Sequence, residues 1–170
     1  MRKIERFLLV LIVVAFSSCA IRPTSLQGQY DKRLERLQKE RDKLNRLTDP
    51  VDRTKTGIAI SEILLSLASE AIKTGEPEVL GKRLSEYVDT IRDAQETMMK
   101  TGRDAHRKPK GFKDLEIALR RQIRMLDDLA HSVSFDQRDP VDKAKAQASD
   151  LREELLKALF GEQNAPSRKS

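Results

Sequence analysis

The chain has 170 residues, of which 35% are charged and 4% aromatic, and its formal net charge is +6 at neutral pH. This length allows one domain with a modest core. One cysteine excludes a disulfide within the chain, and two histidines without a Cys/His cluster give no support to a transition-metal site. No cofactor is expected, because the sequence has no phosphate-cradling glycine loop and no nucleophile elbow.

Residues 1–18 have the organisation of a secretory signal peptide. Arg2, Lys3 and Arg6 precede residues 7–16, which contain no polar side chain. Ten helical residues rise only about 15 Å, half of the roughly 30 Å hydrocarbon core of a bilayer. A basic start, a short apolar run and small residues after it favour an export signal. The alternative is a buried N-terminal core helix, which would show a periodic rather than an unbroken apolar pattern.

The single cysteine, Cys19, comes directly after Ser17 and Ser18. The stretch "FSSC" resembles the lipobox of bacterial lipoproteins, with Phe16 where leucine is usual. The resemblance implies cleavage before Cys19, a diacylglyceryl group on its sulfur and acylation of the new amino group. It also implies an extracytoplasmic protein anchored in the cell envelope, and Ala20 in place of an aspartate slightly favours the outer membrane. The alternative is a chance cysteine at the end of a discarded signal peptide.

The remaining sequence predicts an all-α domain. Residues 19–29 are expected to form a lipidated tether, residues 30–160 a helical domain and residues 161–170 a disordered tail. Apolar periodicity predicts five helices over residues 29–47, 50–73, 77–101, 112–133 and 140–160, arranged as an antiparallel bundle of helical hairpins. The mature chain also resembles uncharacterised helical bacterial lipoproteins, which implies no activity.

A similar turn sequence occurs twice, 90 residues apart. "TDPVDRTK" covers residues 48–55 and "RDPVDKAK" covers residues 138–145. In each copy the first aspartate, Asp49 or Asp139, suits a helix N-cap, and the proline suits the first helical position. The turn is therefore a candidate pseudo-repeat. The alternative is that Asp-Pro is a good helix start that the chain uses twice.

A basic segment is the most unusual part of the sequence. Residues 100–113 contain six Lys or Arg residues and one acid, Asp104. We consider a docking surface for phospholipid headgroups, lipopolysaccharide phosphates or an acidic protein, while a solvated basic loop is the alternative. Nucleic acid is disfavoured, because export separates the protein from it and only Phe112 offers a stacking ring. The docking residues would be Lys100, Arg103, Arg107, Lys108, Lys110, Lys113, Arg120 and Arg124.

These observations predict a lipid-anchored structural or protein-interaction module without enzymatic activity. A ligand-binding or transport accessory protein is one alternative, and it requires a cavity between helices, lined by Ile60, Leu64 and Leu84. An envelope hydrolase is another, and it requires carboxylates that converge on a histidine, either His106 or His131. The sequence leaves the oligomeric state and the identity of the partner open.

Overall fold

The computed structural model describes residues 25–161. The predicted signal peptide, Cys19, the first part of the tether and residues 162–170 lie outside the described residues. The chain divides into two compact units between Asp31 and Lys32. The first unit is described only over residues 25–31, which are helical, and the helical bundle belongs to the second.

The described chain is a succession of five α-helices, and residues 25–161 include no strand. The all-α prediction is therefore confirmed. No helix in this part of the chain combines the length and apolarity needed to cross a bilayer. The helices are α1 (Ser25–Arg46), α2 (Pro50–Thr74), α3 (Pro77–Met99), α4 (Phe112–Ser132) and α5 (Arg138–Phe160), with a short 3₁₀ turn (Phe135–Gln137) before α5.

Helices α2 to α5 form a four-helix bundle made of two antiparallel hairpins. Thr54 Oγ1, early in α2, donates to the carbonyl oxygen of Ala94, late in α3, at 3.4 Å. Arg152, late in α5, donates to Glu116, early in α4, at 2.9 Å. Helices α3 and α5 run in the same direction, and Gln95 of α3 donates to Glu154 of α5 at 2.7 Å. The end of α3, the start of α4 and the end of α5 therefore share one end of the bundle.

The core is built mainly on the broad apolar face of α2. Its central leucines are fully buried, and burying one such side chain stabilises the fold by about 1.5–3 kcal/mol. Helix α1 contributes much less, because only Leu37 of its thin apolar stripe is buried. Helix α1 lies along the outside and is held by charged contacts, Arg33 with Glu70 of α2 and Arg41 with Glu86 of α3.

Several predicted helix ends occur in the structure. Asp49 Oδ1 caps α2 by accepting hydrogen bonds from the backbone N–H groups of Val51 (2.9 Å) and Asp52 (3.0 Å). Gly75 follows α2 with a left-handed φ of 71°, a conformation that glycine adopts without steric cost. Pro77 begins α3 at its first turn, where its missing N–H is not needed.

Two helices begin earlier than the sequence pattern predicts. Helix α1 begins at Ser25, so the last five residues of the predicted tether are helical. One glycine, Gly28, does not prevent this, because it costs a helix only about 1 kcal/mol relative to alanine. Helix α5 begins at Arg138, because the 3₁₀ turn leads directly into it and the backbone of Arg138 is already helical. Asp139 therefore lies within the first turn and is not the N-cap, so the two Asp-Pro turns differ in structure.

Candidate docking surface

The basic segment forms the loop between α3 and α4. Asp104 Oδ1 accepts hydrogen bonds from the backbone N–H groups of His106 (2.9 Å) and Arg107 (3.2 Å). Ala105, which is part of the same loop, is buried. Gly111 ends the loop with a φ of 89°, and a Cβ there would lie 2.7 Å from Met98 Sδ. Buried contacts and a glycine turn thus hold a loop whose charged side chains are exposed.

All eight predicted docking residues are exposed, but three of them have carboxylate partners. Lys100 pairs with Glu96 at 2.8 Å, and a hydrogen bond to that carboxylate raises the pKa of Lys100. Arg107 pairs with Asp104 at 3.4 Å, and Arg120 pairs with Glu116. Among the described residues, no carboxylate lies within ion-pairing distance of the other five, which are Arg103, Lys108, Lys110, Lys113 and Arg124.

The structure does not gather all eight residues at one place. Six of them lie in the loop or beside it, and we call this group the basic end: Lys100, Arg103, Arg107, Lys108, Lys110 and Lys113. Arg120 and Arg124 lie further along α4, about 12 and 18 Å from its start at 1.5 Å per residue. Arg120 is also engaged by Glu116 at 2.5 Å. The basic end is therefore the better-defined surface.

Glu116 forms a charged cluster that ties α4 to α5. Its side chain is 5% exposed and accepts from Arg120 and from Arg152 of α5, the latter at 2.9 Å. Burial raises the pKa of Glu116, but the hydrogen bonds from the two guanidinium groups outweigh that effect, so its pKa is below the ordinary value. The cluster keeps a buried carboxylate ionised, which suits a structural role in joining two helices.

A buried polar chain crosses the bundle, and the sequence analysis missed it. Tyr87 Oη donates to Gln122 Oε1 at 3.3 Å, and Gln122 Nε2 donates to Ser61 Oγ at 2.7 Å. Ser61 Oγ donates in turn to the carbonyl oxygen of Ile58 at 2.8 Å. The available signal was Gln122 itself, a polar residue on the apolar stripe that includes Leu115, Leu119 and Leu126.

A groove of about 270 Å³ runs between α3 and α5. Leu84, Val88 and Ala144 are among its apolar lining residues, and Arg92 and Lys143 are among its charged ones. Of the three residues predicted to line a ligand cavity, only Leu84 borders this groove, while Ile60 and Leu64 are buried in the core. The groove suits at most a small ligand.

The two histidines occupy separate, exposed positions at opposite ends of the bundle. His106 lies in the basic loop, and His131 Nδ1 lies 2.7 Å from the carbonyl oxygen of Asp127 near the end of α4. Asp127 itself pairs with Lys145 of α5, and that hydrogen bond lowers its pKa. In the part of the chain that the structure describes, no group of three or more His, Cys, Asp and Glu side chains is placed to hold a metal ion.

Comparison with known proteins assigns no family. The chain matches no protein-family model, no curated protein and no solved structure.

Proposed function

We propose that this chain is a lipoprotein of the bacterial cell envelope whose bundle is an extracytoplasmic interaction module. Cys19 would carry the lipid anchor, and the basic end would dock an anionic partner. The observation that supports docking is the set of exposed cations without a carboxylate partner among the described residues, Arg103, Lys108, Lys110 and Lys113.

The anchor rests on chemistry that only a cysteine can perform. The thiol of Cys19 is the only one in the chain, so only this side chain can form a thioether with diacylglycerol. Each buried methylene contributes about 0.8 kcal/mol, so one acyl chain binds a membrane marginally, while two or three anchor it stably. The expected mature protein is anchored to the membrane by these chains.

Docking rests on the crowding of like charges within a short loop. Lys108 and Lys110 are two residues apart, and Lys113 lies in the first turn of α4. At physiological ionic strength the Debye length is about 8 Å, so neighbouring cations of this loop act together on one anionic surface. Their binding should weaken steeply with added salt.

The anchor is tested by the intact mass of the N-terminal peptide from the membrane fraction. We expect a diacyl or triacyl mass on Cys19, and the Cys19→Ser variant should lack it and leave the membrane fraction. An unmodified Cys19 in the wild-type protein would refute the lipoprotein assignment.

Docking is tested by charge reversal with a matched control. The triple variant Lys108→Glu, Lys110→Glu and Lys113→Glu is compared with Lys32→Glu, Lys39→Glu and Lys82→Glu, which changes the net charge equally at exposed lysines elsewhere. The measurement is the salt concentration that elutes the detergent-solubilised protein from immobilised heparin, a polyanion. We expect the first variant to elute at clearly lower salt than the control. Equal elution would show that net charge alone governs binding and would refute the docking surface.

A further inference from the structure

The two ends of the bundle carry opposite charge. The end opposite the basic end consists of the α2–α3 and α4–α5 connections, and we call it the acidic end. Its exposed carboxylates are Glu76, Glu78, Asp136 and Asp139. Two of the nearby cations are paired, Lys73 with Glu70 and Arg138 with Asp142.

The unit that contains the bundle begins at the acidic end. Arg33 is the second residue of that unit and lies in α1. It pairs with Glu70, which lies one turn before the end of α2. At the C-terminal end of α1, Arg53 of α2 donates to the carbonyl oxygens of Leu44 and Leu47 at 3.1 Å each. Within the bundle, α1 therefore runs from the acidic end to the basic end. Lys32, the first residue of the unit that contains the bundle, therefore lies at the acidic end.

The basic end also carries exposed apolar side chains. Met99, beside Lys100 at the end of α3, is 47% exposed, and Phe160 at the end of α5 is 58% exposed. The hydrogen bond between Gln95 and Glu154 joins α3 to α5 shortly before these two residues, so both lie at this end. Methionine, aromatic residues and arginine are the types enriched at protein interfaces.

We infer that the basic end binds an acidic protein surface. This inference rests on the proposed function, because it names the class of anionic partner that the same basic end would dock. Arg103 offers a planar guanidinium group that matches a carboxylate. Met99 and Phe160 offer apolar contact, which a protein partner can use and a lipid headgroup or a sugar phosphate cannot.

Two other occupants of the basic end are distinguishable by experiment. Lipid headgroups supply phosphate charge but no apolar surface for Met99 and Phe160 to contact. A second copy would bring its own acidic end, where Phe135 is 92% exposed, onto the basic end. Binding to a second copy would grow with protein density on the vesicle, which separates it from binding to an acidic partner.

Binding to lipid headgroups is tested with a single fluorescent label on the full acylated protein. Because Cys19 is acylated, the introduced cysteine carries the only free thiol. Lys110→Cys places it at the basic end, and Glu78→Cys places it at the acidic end. Each labelled protein is reconstituted into vesicles of phosphatidylcholine alone or mixed with phosphatidylglycerol, and quenching by a spin-labelled lipid is measured. We expect the ratio of quenching at position 110 to quenching at position 78 to be the same in both lipids. A higher ratio on the anionic vesicles would overturn the inference in favour of headgroups.

The partner class is tested on neutral vesicles with two soluble polyanions. A random copolymer of glutamate and tyrosine represents an acidic protein, and inorganic polyphosphate represents a non-protein anion. We expect Met99→Ser to weaken copolymer binding and leave polyphosphate binding unchanged, while the Lys108, Lys110 and Lys113 reversal weakens both about tenfold or more. If Met99→Ser leaves copolymer binding unchanged, or if binding reflects self-association that grows with protein density on the vesicle, the inference is overturned. Failure of the anchor shows separately, because an unacylated protein does not remain with the vesicles.

Discussion

Gln122 Nε2 donates a 2.7 Å hydrogen bond to Ser61 Oγ in the middle of the bundle, where neither side chain is exposed. Tyr87 Oη donates to the oxygen of the same amide, so one glutamine joins α2, α3 and α4. Burial raises the pKa of Tyr87, and its hydroxyl therefore remains a donor across the physiological range. Any shift in the register of these helices leaves a buried polar atom unpaired, so the chain selects one alignment.

Replacing Gln122 with methionine should destabilise the fold by about 1–3 kcal/mol, because the Tyr87 hydroxyl loses its acceptor while it stays buried. The measurement is the free energy of unfolding from urea titration followed by circular dichroism. The triple variant Tyr87→Phe, Ser61→Ala and Gln122→Met removes all three polar groups together. It should be more stable than Gln122→Met alone, and a less stable triple variant would contradict this account.

The charged cluster at Glu116 predicts a pH dependence of stability. Its folded-state pKa is below the ordinary value of 4.5, so its stabilising effect is complete above that pH and declines as pH falls through the folded-state pKa. Glu116→Gln should cost about 1–3 kcal/mol at neutral pH. The difference between wild type and variant should narrow as the pH drops below 4.5. Glu96→Gln, whose partner Lys100 is exposed, serves as the control and should have little effect at any pH.

The two Asp-Pro turns offer a matched pair of substitutions. Asp49→Ala removes a side chain that accepts two backbone hydrogen bonds and should cost about 1 kcal/mol. Asp139→Ala removes only a favourable charge near the helix dipole, for which we expect less than about 0.5 kcal/mol. Thermal unfolding of both variants checks the difference. Equal losses would mean that Asp139 caps α5 after all.

Arg53 should control the stability of the end of α1. Its guanidinium group donates to the carbonyl oxygen of Leu44, in the last turn of α1, and to that of Leu47, just after the helix. Arg53→Met should lose about 1 kcal/mol locally, so amide hydrogens in the last two turns of α1 should exchange roughly fivefold faster than in wild type. Lys55→Met, which removes an exposed ion pair on the same helix, is the control. Unchanged exchange in α1 would show that Arg53 does not cap it.

Local sequence patterns predicted most of the fold, but they could not predict contacts between residues that lie far apart in the sequence. The apolar spacing around Leu64 and Leu119 indicated helices, and Asp49 marked a true N-cap. The partner of Lys100 was also predictable from the sequence, because Glu96 lies four positions earlier on the same helix face. In contrast, Gln122 meets Ser61 across 61 positions, and such a contact depends on how helices pack against one another. The start of α5 was missed for a related reason, because the 3₁₀ turn extends the helix across an aspartate that suits a cap.

The course of α1 along the bundle has a mechanical consequence. A pull between Lys32 and a partner held at the basic end acts nearly parallel to the axis of α1. Such a load shears α1 along its neighbours and does not peel it away. The Arg33–Glu70 pair, the buried Leu37, the Arg41–Glu86 pair and the bonds from Arg53 then bear the load at the same time. A helix with one buried leucine can in this way transmit tension to a bundle that it barely helps to fill.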